Sequence, residues 1–169
     1  QYFGLHSRPA SGKVAIVEID PKSLQKLATW PWSRAYHAAL IDRLLAAGAD
    51  HVVLDVDFRS ASSPEGDAAL AQAIAAAKGR VILATFSQQD GNGRVRGIST
   101  SLPLTRFGAK AELGLVNVFA DPDGRLRSYR IAEDRLPGAP TTLAAELAAP
   151  LKPQPNAFEI DYTIAPFSI

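Results

Sequence analysis

Four carboxylates fall at the ends of two apolar runs. Glu18 and Asp20 close V-A-I-V-E-I-D, and Asp55 and Asp57 sit near the end of V-V-L-D-V-D-F. Residues two apart on a strand share a face, so each run presents its acids together. Open parallel sheets hold ligands beyond the carboxyl ends of their strands. Carboxylates gathered there suit magnesium or calcium, which prefer oxygen ligands. Between the runs stands Trp30-Pro31-Trp32-Ser33-Arg34, with the chain's two tryptophans. Indole faces stack on sugars and aromatic rings and attract quaternary ammonium groups. The Arg34 guanidinium can fork onto a carboxylate or phosphate. These residues define a candidate polar site of Asp20, Trp30, Trp32, Arg34 and Asp55. Asp57 is its second acid, and Asn117 and Arg127 are more distant members.

Each feature also has a purely structural explanation, and that explanation is favoured. Acids at strand ends cap helices, face solvent or pair with a nearby cation. Arg34 tied to Asp20 or Asp55 would be such a pair. Two tryptophans around a rigid proline make an apolar plug between helix and sheet, the usual use of large aromatics. Asp55-Val56-Asp57 also compares with haloacid-dehalogenase-like phosphatases, where one aspartate is a nucleophile. A magnesium-dependent phosphohydrolase using Asp55 and Asp57 is therefore the rival reading. Phe58-Arg59 follows where that motif wants a small hydroxyl residue. Asp121-Pro122-Asp123-Gly124 begins like a calcium loop, but its glycine comes early and no glutamate closes it, so a hairpin turn explains it better. His6, His37 and His51 have no ligand spacing, and there is no cysteine. No phosphate-cradling loop, dinucleotide fingerprint or nucleophile elbow is present. The expectation is a chain with no catalytic residue, metal or cofactor.

The elements that must position these residues follow from periodicity. Residues 13–20 are dense in Val and Ile without clean alternation, which predicts a strand covered on both faces. Pro21 starts a short helix. Ser33 is placed to cap a second helix, whose apolar face is Tyr36, Leu40 and Leu44 with Ile41 and Leu45 beside it. Gly48 suits the left-handed position after that helix. Residues 51–58 predict a second strand, 67–78 an alanine-rich helix and 80–86 a third strand. This alternation predicts βαβ units and a mainly parallel sheet in the first half. Further on, Asp90-Gly91-Asn92-Gly93 signals a reversal. Residues 113–120 and 125–132 predict a hairpin joined at 121–124, followed by a helix over 141–148 and a strand over 158–163. The fold class is α/β, with antiparallel strands in the second half, in a single domain over residues 1–169.

The composition is that of a globular chain. It has 169 residues, 47% hydrophobic and 21% charged, with a net charge of +1. That length buries a sizeable core. No block of like charge exists, so a nucleic-acid surface or a polybasic membrane patch is not expected. The apolar runs are far shorter than the ~18 residues a spanning helix needs. No secretion signal is visible, and there is no methionine at the start or elsewhere. We expect a fragment of a longer protein, with any membrane segment outside it.

Read together, the motifs resemble the CHASE type 2 domain, an extracytoplasmic sensor module of bacteria. The likeness runs through V-A-I-V-E-I-D-P-K-S-L from Val14, W-P-W-S-R from Trp30, L-L-A-A-G-A from Leu44 and V-V-L-D-V-D-F from Val52. It continues through G-D-A-A-L-A-Q-A-I from Gly66, L-G-L-V-N-V from Leu113, D-P-D-G-R-L-R from Asp121 and the strand at Ile160. The resemblance implies a non-enzymatic sensory domain on the periplasmic face of the inner membrane. Membrane segments would join it to a nucleotide cyclase, a cyclic-di-GMP enzyme, or a histidine or serine/threonine kinase. Its partner would be an unknown small-molecule or protein signal, with a possible homodimer. The family's usual glycine-rich C-terminal part is missing, so the domain is expected to be incomplete there. A third reading is a dimerisation or protein-interaction module with no small ligand.

Overall fold

The computed structural model describes residues 8–28, 30–90, 97–130, 141–148, 157–160 and 164–165. In chain order the elements are β1 (Arg8–Pro9), α1 (Pro21–Leu27), α2 (Arg34–Ala46), β2 (Val52–Leu54), α3 (Pro64–Ala76), β3 (Val81–Asp90) and β4 (Gly97–Ser101). They continue with α4 (Thr105–Gly108), β5 (Glu112–Leu115), β6 (Ser128–Arg130), α5 (Leu143–Ala148), β7 (Ala157–Glu159) and β8 (Ile164–Ala165).

The fold is α/β, and its main sheet is built on β3. Parallel β2 and β5 pair with it, Val52 opposite Val81 and Glu112 opposite Ile82. β3 is longer than either partner. Its far half, Phe86 to Asp90, pairs antiparallel with β4, Ser101 to Gly97. The reversal read at Asp90 to Gly93 lies mostly outside the described residues, but the strands flanking it are antiparallel. Two small sheets complete the ladders, β1 with β8 in parallel and β6 with β7 antiparallel.

Local chemistry explains the helices. Ser63 caps α3 through its hydroxyl, which accepts from Gly66 N at 3.1 Å, and Pro64 supplies a preset first position. The alanines that follow have the highest helix propensity. Ser33 caps α2 from the same kind of position, accepting from Ala35 N. Gly48 adopts φ 97, the left-handed conformation that favours glycine after a helix. The core lies between α2, α3 and one face of the sheet. Ile41, Leu70, Ile74, Val81, Leu83 and Phe107 are fully buried there. On β5, Gly114 lets α5 sit against the strand. A Cβ there would stand 2.9 Å from Leu143 Cα and 2.8 Å from its Cδ1.

Two expectations are corrected. Residues 13–20 form no ladder with any described strand. Val14, Ile16 and Val17 are 76%, 84% and 59% exposed. Apolar, β-branched composition expresses fit to a neighbouring strand and does not create one, and no described strand lies alongside this segment. Among the described residues, the expected hairpin of 113–120 with 125–132 does not form either. Leu113 to Leu115 joins the main sheet through β3, and Ser128 to Arg130 pairs with β7 instead. What remains at 121–124 is a local turn, with Gly124 N donating to Asp121 O at 2.8 Å. The expected strand over 158–163 is seen as β7, and residues 161–163 lie outside the described part.

Candidate functional site

α2 begins with a buried cation. Arg34 Nη1 donates to Asp67 Oδ1 at 2.6 Å, and its Nη2 donates to the carbonyl of Ser60. Both side chains are buried, Asp67 almost completely. The guanidinium carbon stands over two rings, 5.4 Å from the Phe58 centroid and 5.1 Å from that of Phe107. Asp67 takes two further contacts, from Ser62 N at 3.3 Å and from Arg106 Nη1 at 3.1 Å. Every oxygen of this buried carboxylate is therefore supplied with donors, as a buried charge requires. Gly66 makes the meeting possible. A Cβ on it would lie 2.9 Å from Ser63 Oγ, 3.3 Å from Ser33 Oγ and 3.4 Å from Arg34 N, so a side chain would crowd the start of α2.

A chain of rings runs beside this pair. Trp30 and Trp32 meet edge to face at 5.6 Å, and Trp32 lies 6.3 Å from His37. His37 meets Phe58 edge to face at 5.5 Å, and Phe58 meets Phe107 at 5.9 Å. Trp30 remains 54% exposed, whereas His37 is buried. Burial and the nearby Arg34 charge push the His37 imidazole below its ordinary value. Trp32 is half-buried, and its indole N–H has no partner among the described residues.

A cavity of about 250 Å³ opens where β3 changes partners. β2 ends opposite Leu83, and β4 ends with Ser101 opposite Phe86. Ala84 and Thr85 lie in the gap, at the carboxyl end of the parallel strands. The polar lining is Asp55, Asp57, Arg59, Thr85 and Ser101, and Phe58, Phe86 and Val116 supply apolar wall. Arg59 clasps Asp57, with Nε 2.9 Å from Oδ2 and Nη2 2.7 Å from the same oxygen, and its Nη1 reaches Ser101 Oγ at 3.2 Å. Those hydrogen bonds hold the Asp57 carboxyl below its ordinary value. Thr85 is 1% exposed, and its buried hydroxyl has no hydrogen-bond partner among the described residues. The position matches the rule that open α/β sheets take ligands beyond the carboxyl ends of their strands.

The family model of the CHASE2 domain matches residues 1–165. The chain belongs to the CHASE2 domain family. CHASE2 is a family of extracytoplasmic sensor domains of signalling proteins, so the role of this chain is sensory. No curated protein and no solved structure matches it significantly. Among the described residues, no helix is long and apolar enough to cross a membrane. No group of three or more His, Asp or Glu among those residues could hold a metal ion.

This CHASE2 domain disperses the residues singled out in its sequence. Arg34 pairs with neither Asp20 nor Asp55; its partner is Asp67. Asp20 caps α1, accepting from Ser23 N at 2.8 Å, and this bond lowers its carboxyl pKa. Glu18 stands exposed on the unpaired segment. Asn117 bridges the sheet, accepting from Ser87 N at 2.8 Å and donating to Ser87 O at 2.6 Å. Arg127 is exposed and holds both acids of the turn, Asp121 at 2.8 Å and Asp123 at 2.6 Å. The Arg127 bonds bring Asp123 down to about 2. Asp55 and Asp57 do come together, in the cavity.

Asp67, Arg59 and Thr85 were not anticipated. Asp67 reads in sequence as one of the acids common in a first helical turn. Its one distinctive signal is the Ser63-Pro64-Glu65-Gly66 entry before it, where glycine permits a close neighbour. Nothing local marks Thr85, because it matters only where one strand pairing ends and another begins.

Proposed function

We propose that this CHASE2 domain receives a signal on the periplasmic side of a bacterial membrane-bound signalling protein, and passes it to a cytoplasmic nucleotide cyclase or kinase. The family match over residues 1–165 carries this reading. The cavity beside Asp55 supports it with a place for a small ligand. A ligand shifts a conformational equilibrium only if it binds one state better than the other. The lining joins four separate segments, residues 55–59, residues 84–86, Ser101 with Pro103, and Val116, so an occupant bridges parts of the chain that are distant in sequence. Reporter fusions within the full-length parent test the reading. A secreted-phosphatase reporter inserted in this domain is expected to be active and a cytoplasmic fluorescent reporter dark. The reverse pattern would refute the periplasmic placement. Loss of signal-dependent output on deleting the domain is the second expected result.

One observation favours an interaction module without a small ligand. Val14, Ile16 and Val17 are exposed together on one extended segment, and exposed apolar clusters mark protein contacts. Sedimentation of the domain at rising concentration separates the readings, since a pure interaction module self-associates or needs a partner. The phosphohydrolase reading has no comparable support. Arg59 occupies Asp57, which leaves that carboxylate poorly placed to attack phosphorus or hold magnesium.

A further inference from the structure

We propose that residues 13–20 form a docking strand for a second copy of this chain, each copy laying the segment along the open edge of β2 in the other. This pairing names the partner of the exposed apolar segment and does not depend on the sensory role. From residue 8 to residue 28 no described side chain is buried. Yet Val14, Ala15, Ile16, Val17 and Ile19 stand within this stretch, and Val14 and Ile16 are the most exposed large apolar residues described. β-Branched residues of this kind fit a pleated, half-buried surface. The arm is anchored at both ends. Arg8 and Pro9 pair with Ile164 and Ala165, and Asp20 caps α1, which itself contains no buried residue. Between those anchors the segment does not fold back onto its own sheet.

The receiving surface is β2. Among the described residues it pairs only with β3, so it is an edge strand. Val52 N donates to Arg80 O of the β3 side at 2.9 Å. Successive residues of a strand turn their backbone groups to alternate sides, so the amide and carbonyl of Val53 face the open edge. An edge of this kind accepts an added strand through main-chain hydrogen bonds. The helix beside it is also incompletely covered. On α2, Leu40 and Leu44 are half-buried and Tyr36 is 53% exposed, four residues apart in one row. A strand added to β2 extends the sheet and gives this row apolar cover. A second copy is the occupant because one chain carries both the strand and the edge. A two-fold arrangement then makes the contact twice, and exchange of an identical element between copies is a low-cost route to a dimer. The arm, the β2 edge and the α2 row together supply about the ~20–30 residues a side of a standard interface.

Sedimentation and hydrogen exchange of the chain over a rising concentration series test this. The expected result is a monomer–dimer equilibrium in which exchange slows together in residues 13–20 and 52–56 as the dimer forms. Ile16→Lys is expected to weaken dimerisation at least about tenfold, the loss of one apolar anchor. Because Ile16 is 84% exposed, the dilute variant should melt like the parent, and equal melting with lost dimer supports the contact. The chain has no cysteine, so single-cysteine variants report the pairing directly. Ile16→Cys mixed with Val53→Cys under oxidising conditions is expected to give disulfides between the two variants in excess over either with itself. A chain that stays monomeric at every concentration, or a dimer that Ile16→Lys leaves intact, overturns the proposal. So does an excess of Ile16→Cys joined to itself, which would mean that the segments pair with each other. An intrachain disulfide in the double variant, or slow exchange of 13–20 in the dilute monomer, would assign the β2 edge to the chain's own segment and equally overturn it. A monomer leaves the reporter-fusion test of the sensory reading untouched, so the two can fail separately.

Discussion

Arg34 Nη1 and Asp67 Oδ1 lie 2.6 Å apart, joining the first turn of α2 to the first turn of α3. The two residues are 33 positions apart, and their meeting ties both helices to the loop carbonyl of Ser60. The same guanidinium covers Phe58, whose ring also forms part of the cavity wall. The buried pair and the candidate ligand site thus share one side chain.

Breaking that pair from one side leaves the other charge buried. Arg34→Ala or Asp67→Asn is expected to cost about 3–5 kcal/mol in urea unfolding. Arg34→Met with Asp67→Leu removes both charges and is expected to cost clearly less than the sum of the singles. Additive losses would show that the residues do not act as a pair.

The contact between β5 and α5 predicts intolerance at one glycine. Gly114→Ala places a methyl 2.9 Å from the Leu143 backbone, where only a shift of the helix can relieve it. Overpacking of this kind costs about 1–3 kcal/mol. Hydrogen exchange should show α5 protection lost before that of β2 and β3. A variant as stable as the parent would mean that α5 does not pack on β5.

His37 predicts loss of stability in mild acid. Burial lowers its folded pKa below the ordinary 6.5, so on acidification the unfolded chain takes up the proton first. Its contribution is fully present above pH 6.5 and declines as pH falls from there toward the folded pKa. The melting temperature at pH 5 is therefore expected to lie below that at pH 7.5. His37→Gln should narrow this difference; an unchanged difference would assign it to other groups.

Residues 13–20 predict tolerance where sequence reading predicts a core strand. Ile16 is 84% exposed, so Ile16→Lys is expected to change stability by no more than about 0.5 kcal/mol. Ile74→Ala, at a fully buried site, is expected to cost about 2–5 kcal/mol. If Ile16→Lys proved as damaging as Ile74→Ala, the segment would be packed in solution.

Much of the fold was legible in the residue order because its causes are local. The α2 and α3 helices follow from Ser33, Ser63, Pro64 and the alanine run, each acting within a few residues. The β2 and β3 strands follow from short Val, Ile and Leu runs between glycine-marked helix ends. The motif series from Val14 to Ile160 also carried the family, which the match over residues 1–165 shows. Partners were not legible. Residues 13–20 have a strand's composition and no neighbour, and Leu113 to Leu115 has a hairpin's spacing but pairs with β3. The sequence by itself determined the local elements and the family. Only the tertiary structure decided that Arg34 answers to Asp67 rather than to Asp20 or Asp55. The physical reason is range: caps and periodicity act within a turn, whereas charge pairing and strand pairing depend on which distant segments the packed core brings together.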